Sequence, residues 1–121
     1  MAQLSPLPQR RTTEEVFESH LDYRLNGLVE QDLKRNYAPN VVLLTVNSNA
    51  RGHDAIRASA ARLASQLPKA EFEFLAKQVN GPFALLIWRG TSVKGKAIDG
   101  ADSFVIVDGL IRLQTIHYRL V

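Results

Sequence analysis

Asp102 is the residue whose type and position could most readily support chemistry. It opens an apolar segment, and side chains alternate along a strand, so Asp102, Phe104 and Ile106 share one face. If that face is buried, the carboxyl group loses hydration and its pKa rises, which leaves a neutral acid that can donate a hydrogen bond to a ligand oxygen. If Asp102 instead lies at the rim of a sheet, it is solvated or bonded to a loop amide.

His117 and Tyr118 form a second pair of candidates near the end of the chain. Because neighbours on a strand point to opposite faces, only one of them can share a cavity with Asp102. An inward His117 could exchange a proton with Asp102, since imidazole titrates near neutral pH, whereas an inward Tyr118 would add a hydroxyl donor. Either residue could equally pack at an interface between subunits.

Aromatic side chains are candidate walls for such a site. Trp88, the only tryptophan, lies in a strand-like segment and could stack on a planar ligand or fill the core. Tyr37 lies between a helical and a strand segment, where the mouth of a site could be. No two histidines have the spacing of metal ligands, so no metal is expected. Phosphate loops, dinucleotide fingerprints and Gly-x-Ser-x-Gly motifs are absent, and no cofactor is expected.

Composition limits the classes of protein. The 121 residues fit one domain, and a content of 45% hydrophobic and 22% charged residues is typical of a soluble globular protein. The net charge of +3 comes from scattered residues, which argues against nucleic-acid binding. The absence of cysteine excludes disulfides and is compatible with a cytoplasmic location, which we expect. No apolar run approaches the roughly 20 residues of a membrane helix, so no membrane partner is expected.

Caps and apolar periodicity mark three helices. Thr12 and Glu15 form a capping box, which predicts a helix over 13–27. Its apolar stripe comprises Phe17, Leu21, Leu25 and Leu28. Asp32 is expected to cap a short helix that ends at Asn36 or Tyr37, and a third helix is predicted from His53 or Asp54 to Pro68.

The other segments are typical of strands. Strands are predicted over 41–46, 70–79, 83–93, 102–107 and 110–120, with turns at NSNARG, at KGKAIDG and at the hairpin signal Asp108-Gly109. Helices followed by a run of strands predict one α+β domain over 12–121, after a flexible tail over 1–11. Three strands are apolar on both faces and helices can cover only one, so we expect a homodimer through the other sheet face.

Four segments follow one another along the chain, namely TTEEVFESHLDYRL, QDLKRNYAPNVVLLT, RGHDAIRASAARL and DGADSFVIVDGLIRLQTIHY. In this order they resemble the nuclear transport factor 2-like superfamily, in particular its SnoaL-like polyketide cyclase and ketosteroid isomerase-like branch. The resemblance implies a cone-shaped α+β fold, in which three N-terminal helices pack on a strongly curved, mostly antiparallel β-sheet that encloses a pocket. Functions in the superfamily range from catalysis to pure binding, so the fold alone does not name one.

The resemblance also implies roles for individual residues. Asp102 falls at the position of an aspartate that donates a hydrogen bond to the ligand oxygen in ketosteroid isomerases, and Tyr23 is similar in place to a helix-borne tyrosine. The second carboxylate that those isomerases need falls near Thr45, whose hydroxyl is no base at neutral pH. Chemistry of that type would need another acid at the pocket, namely Asp22, Asp32 or Asp54.

Three functions follow as alternatives. The first is a protein that binds a small, largely apolar ligand with a carbonyl or hydroxyl group, anchored by Asp102. Its ligand-binding residues would be Tyr23, Tyr37, Trp88, Asp102, Phe104 and Tyr118. The second is an enzyme of isomerase, dehydratase or cyclase type with Asp102 and His117 as acid and base. The third is a non-catalytic interaction module, which a filled interior would favour.

Overall fold

The computed structural model describes residues 10–121, which fold into three helices and six strands. The helices are α1 (Thr13–Leu25), α2 (Val29–Asn36) and α3 (His53–Gln66). The strands are β1 (Tyr37–Thr45), β2 (Asn49–Arg51), β3 (Glu71–Asn80), β4 (Phe83–Ser92), β5 (Gly95–Val107) and β6 (Leu110–Leu120). The α+β class is confirmed, although α3 follows β1 and β2, so the three helices are not all N-terminal to the sheet. No helix among these residues is both long and apolar enough to cross a membrane.

One curved, unclosed sheet contains all six strands in the order β2-β1-β6-β5-β4-β3. Neighbouring strands are antiparallel except β1 and β6, which are parallel. The ladders shift register near Phe74, Trp88 and Ile98, and an extra residue in one strand bends that strand. The helices contact one face of the sheet: α1 lies against β3, β4 and β5, and α3 lies against β1 and β2. The bend and the helices together create the interior in which the candidate site lies.

The N-terminal helices differ from their predictions in ways that matter for the site. The capping box of Thr12 and Glu15 is present, as predicted. Leu25 and Leu28 are exposed, because α1 ends at Leu25, and the buried face instead includes His20. The prediction that Asp32 caps α2 is wrong, since α2 begins at Val29 and Asp32 lies inside it, buried.

The strands follow the predicted order, but β1 and β5 begin earlier than predicted. Asp108 and Gly109 have φ angles of 54° and 76°, the positive pair that a tight two-residue hairpin requires, so this turn is confirmed. The two other turn predictions are wrong in extent: NSNARG contains β2, and most of KGKAIDG belongs to β5. Residues 1–9 of the predicted tail lie outside the described residues. Arg11 is half buried and donates to the carbonyl oxygen of Gly109 at 3.0 Å.

Candidate functional site

A cavity of about 60 Å³ lies between the helices and the sheet. Apolar side chains from α3, β3 and β4 form much of its wall. Its polar wall residues include His20, Arg24, Asp32, Tyr37, Asp102 and Gln114. A water molecule needs roughly 10–15 Å³ of such space, and a cavity of about 150 Å³ holds benzene. A ligand that enters without rearrangement is therefore smaller than benzene, or extends through the opening.

Asp102 reaches this cavity from β5 and is 8% exposed. Its Oδ1 accepts a hydrogen bond from Nε1 of Trp88 at 2.9 Å, and its Oδ2 accepts one from Nε2 of Gln114 at 3.1 Å. Burial raises the pKa of Asp102, and the two hydrogen bonds oppose this shift without cancelling it. The neutral acid therefore persists to higher pH than in a free aspartate.

Gly100 allows the hydrogen bond between Trp88 and Asp102. Trp88 on β4 pairs with Gly100 on β5, two residues before Asp102. A Cβ at position 100 would lie 2.4 Å from Cδ2 of the indole, a distance that side chains do not tolerate. Because the glycine has no side chain, the indole can lie against the backbone of β5 and direct its N–H along the strand.

Tyr37 fixes the orientation of the second donor. The hydroxyl of Tyr37 donates to Oε1 of Gln114 at 2.5 Å, so the amide nitrogen of Gln114 must point towards Asp102. Both side chains are buried, and burial raises the pKa of Tyr37 well above its usual value, which keeps the phenol protonated as a donor. Asp102 thus stands at the end of a chain of hydrogen bonds that begins at β1.

His20 and Asp32 form a second polar pair on the same cavity. Nδ1 of His20 on α1 lies 2.7 Å from Oδ2 of Asp32 on α2, and each residue is 2% exposed. A carboxylate can only accept, so Nδ1 is the donor. In a neutral imidazole the other nitrogen, Nε2, is then an acceptor.

Polar groups behind Asp32 hold it in place. Nδ2 of Asn36 donates to Oδ1 of Asp32 at 2.9 Å and to Oγ of Ser19 at 3.1 Å. The guanidinium of Arg11 donates to Oδ1 of Asn36 at 2.7 Å, which fixes the orientation of that amide. These contacts supply the hydrogen bonds that a buried carboxylate needs.

Four of the predicted site residues line one cavity: Tyr37, Trp88, Asp102 and Tyr118. The ring of Tyr118 packs on Trp88 with centroids 5.5 Å apart, and its hydroxyl donates to Oε1 of Gln66 on α3. Phe104 lies behind the wall instead, where its ring packs against Phe17 and His20.

The two other predicted residues lie outside the cavity. His117 is exposed on the outer face of the sheet, and its Nδ1 lies 3.1 Å from the carbonyl oxygen of Asp99. Tyr118 takes the inner face, so the structure does not bring His117 to Asp102. Tyr23 is half buried on α1, and its neighbour Arg24 lines the cavity instead.

Sequence reasoning named Asp32 as one of three possible pocket acids but missed its partner. His20 lies three residues after Phe17 and directly before Leu21, on the apolar side of α1. A polar residue inside an apolar stripe was the available signal. Within residues 10–121, no group of three or more His, Asp or Glu side chains is placed to hold a metal ion.

Comparison with known sequences identifies the family. The sequence model of the SnoaL-like domain matches residues 18–114, which is most of the chain. The chain belongs to the SnoaL-like family. The resemblance to this branch of the nuclear transport factor 2-like superfamily is therefore confirmed. No protein with a curated description matches this SnoaL-like chain.

Solved structures share the fold of this SnoaL-like chain. A protein from Jannaschia sp. CCS1, provisionally described as a SnoaL-like polyketide cyclase, is 14% identical with a TM-score of 0.72, over 96% of this chain and 91% of that one. A protein from Kribbella flavida DSM 17836, provisionally described as a ketosteroid isomerase, is 16% identical with a TM-score of 0.71, over 88% and 77%. A de novo designed protein with a curved β-sheet is 17% identical with a TM-score of 0.71, over 93% and 88%. At these identities the likeness shows the fold alone.

Proposed function

We propose that this SnoaL-like chain binds a small, largely apolar molecule with a carbonyl or hydroxyl oxygen, and that neutral Asp102 anchors that oxygen. One observation carries the proposal: both oxygens of the buried Asp102 face N–H donors. Indole Nε1 only donates, and Oε1 of Gln114 already accepts from Tyr37. Neither of the two groups that bond Asp102 can therefore accept its proton, which is available to a ligand.

The wall around Asp102 supports an apolar ligand. Ile56, Leu63, Leu86 and Ile116 line the cavity together with the rings of Phe72, Phe74, Trp88 and Tyr118. Ligand sites commonly combine such an apolar lining with a few polar groups that fix orientation. The volume favours a ligand of a few carbon atoms over a polycyclic one.

Titration with 2-butanone, followed by protein NMR, tests the proposal. Asp102→Asn should weaken binding by roughly five- to tenfold, since the amide is a weaker donor and the weakened contact lowers the binding free energy by about 1 kcal/mol. Ser103→Ala is the matched control, because Ser103 is the next residue on β5 and its side chain bonds Thr115 away from the cavity. If no small ketone binds, with or without a hydroxyl group, or if Asp102→Asn lowers only the melting temperature, the proposed anchor is wrong.

An enzyme of isomerase, dehydratase or cyclase type is a second candidate. The observation that favours it is that the His20–Asp32 pair and Asp102 line the same cavity, which supplies a proton acceptor where His117 does not. The test is exchange of the α-protons of 2-butanone in D2O, followed by NMR. Exchange at the buffer rate, with bound ketone present, would exclude proton transfer on this ligand.

We also propose that the outer face of the sheet binds a second copy of the chain. Across four strands, Val42, Leu113, Val105 and Phe83 form one apolar row in register. Phe83 is 59% exposed, and Leu85 in the adjacent row is 38% exposed. Covering this face with an identical face would remove these apolar side chains from water and leave the helices outside the interface.

A further inference from the structure

The imidazole of His20 is held by one hydrogen bond and by two aromatic rings. Asp32 binds its Nδ1, while the rings of Phe104 and Tyr37 pack edge-on against it at centroid distances of 5.1 and 5.7 Å. Asn36 and Arg11 fix Asp32 in turn. The ring plane and the identity of the protonated nitrogen are therefore both determined by named contacts.

The other ring nitrogen, Nε2, makes no hydrogen bond with any residue among 10–121. In that part of the chain, no side-chain nitrogen or oxygen is both fully buried and unpaired. Nε2 must therefore keep some accessible surface, and His20, which is 2% exposed overall, lines the cavity. The acceptor lone pair of Nε2 is thus accessible from the cavity.

The cavity then presents one donor and one acceptor. When Asp102 is protonated and the imidazole of His20 is neutral, Asp102 has an O–H to give and Nε2 of His20 has a lone pair to fill. A ligand with only a carbonyl satisfies Asp102 and leaves Nε2 buried without a partner, which lowers its affinity. A site built to bind a hydroxyl discriminates strongly against analogues that lack it, for this reason.

We infer that the ligand of this site is a small hydroxy ketone, whose carbonyl oxygen accepts from Asp102 and whose hydroxyl donates to Nε2 of His20. The inference rests on the proposed function, because it takes Asp102 as the anchor. It adds the substrate class and assigns His20 as the residue that selects the hydroxyl.

Two isosteric pairs test the selection by replacing a hydroxyl with a methyl group. They are 4-hydroxy-2-butanone with 2-pentanone, and 1-hydroxy-2-propanone with 2-butanone. In at least one pair the hydroxy ketone should bind roughly fivefold tighter or more, despite being less apolar. His20→Phe keeps a ring at that position but no acceptor, and should reduce the preference to about twofold or less. His117→Phe, on the outer face, should leave the preference unchanged.

A measurement on the unaltered protein covers the case in which His20→Phe does not fold. In a ¹⁵N NMR spectrum, Nε2 of His20 should be unprotonated in the free protein and should shift on addition of the preferred hydroxy ketone, but not of its methyl isostere. A proton on Nε2 in the free protein overturns the inference.

Failure of the inference differs from failure of the proposed function. Ketones that bind in an Asp102-dependent way, with no preference for the hydroxyl in either pair, would overturn the role of His20 and leave the anchor intact. If neither ketones nor hydroxy ketones bind, the proposed function fails and the inference fails with it.

Discussion

Gly100 offers the sharpest test of how the site is built. In Gly100→Ala the new Cβ would lie 2.4 and 2.5 Å from Cδ2 and Cε2 of Trp88, and 2.6 Å from its carbonyl oxygen. Rotation of the indole relieves only the first two contacts, because the third is with backbone. The variant must therefore move the indole and also separate β4 from β5 locally.

Two effects lower the free energy of unfolding of Gly100→Ala. Overpacking of this kind costs about 1–3 kcal/mol. Displacing the indole also removes the donor to Oδ1 of Asp102, and an unpaired buried acceptor costs about 1–3 kcal/mol. We expect a total loss of about 3 kcal/mol in the free energy of unfolding, since partial relaxation of the structure around position 100 reduces both effects.

Urea unfolding followed by fluorescence measures both effects, because Trp88 is the only tryptophan. Gly100→Ala should unfold at lower urea, and its native emission should shift to longer wavelength as the indole leaves its buried position. Gly27→Ala is the control: Gly27 has a φ of 68° and no atom within 4 Å of an added Cβ, so it should cost only about 1–2 kcal/mol of backbone strain, with unchanged emission. An unchanged midpoint and spectrum for Gly100→Ala would refute the packing of Trp88 on Gly100.

Three further predictions concern the acid, its support and the outer face. Because burial raises the pKa of Asp102, the folded protein should hold this proton more tightly than the unfolded chain, so the stability of the wild type relative to Asp102→Asn should be greatest below about pH 4 and should fall as pH rises through the folded value. Urea unfolding over a pH series measures this difference. Tyr37→Phe should cost about 1–3 kcal/mol in the same assay, since it leaves Oε1 of buried Gln114 without its donor. Sedimentation at micromolar concentration should show a dimer for the wild type and a monomer for Phe83→Asp, while Val93→Asp, in a fully exposed turn, should remain dimeric.

Each of these has an outcome that contradicts it. A stability difference that grows with pH would mean that the ionised form of Asp102 is the favoured one in the folded protein. Full stability of Tyr37→Phe would show that Gln114 does not depend on the phenol. A wild-type monomer, or equal dimerisation of both surface variants, would leave the exposed apolar side chains of the outer sheet face without the proposed cover.

Local signals predicted the elements well where one short segment decides the structure. The capping box at Thr12 and the hairpin at Asp108-Gly109 each depend on neighbouring residues, and both are present. The β2 strand could not be predicted in this way, because its three exposed residues are strand-like only through pairing with β1. The apolar stripe of α1 was misjudged at Leu25 because the length of the helix depends on where the chain turns towards α2.

The residues of the candidate site differ in the same way, because some follow from local sequence signals and others depend on how distant segments pack. Strand alternation placed Asp102 on the same face as Phe104 and Ile106, and in the structure all three are buried. The pairing of His20 with Asp32 joins residues on two helices and depends on how those helices pack, which no spacing in the sequence states. His117 illustrates the converse: the sequence shows that it opposes Tyr118, but only the register of β6 on β5 decides which of the two faces inward.

Titration of the Asp102 side chain by ¹³C NMR tests the central claim most directly. If the carboxyl group is a poorly hydrated acid facing an apolar cavity, its midpoint should lie clearly above the value of about 3.9 that is usual for aspartate. A midpoint at or below that value would mean that the site holds the proton of Asp102 no more tightly than water does, and the donor on which the proposed ligand site depends would be lost.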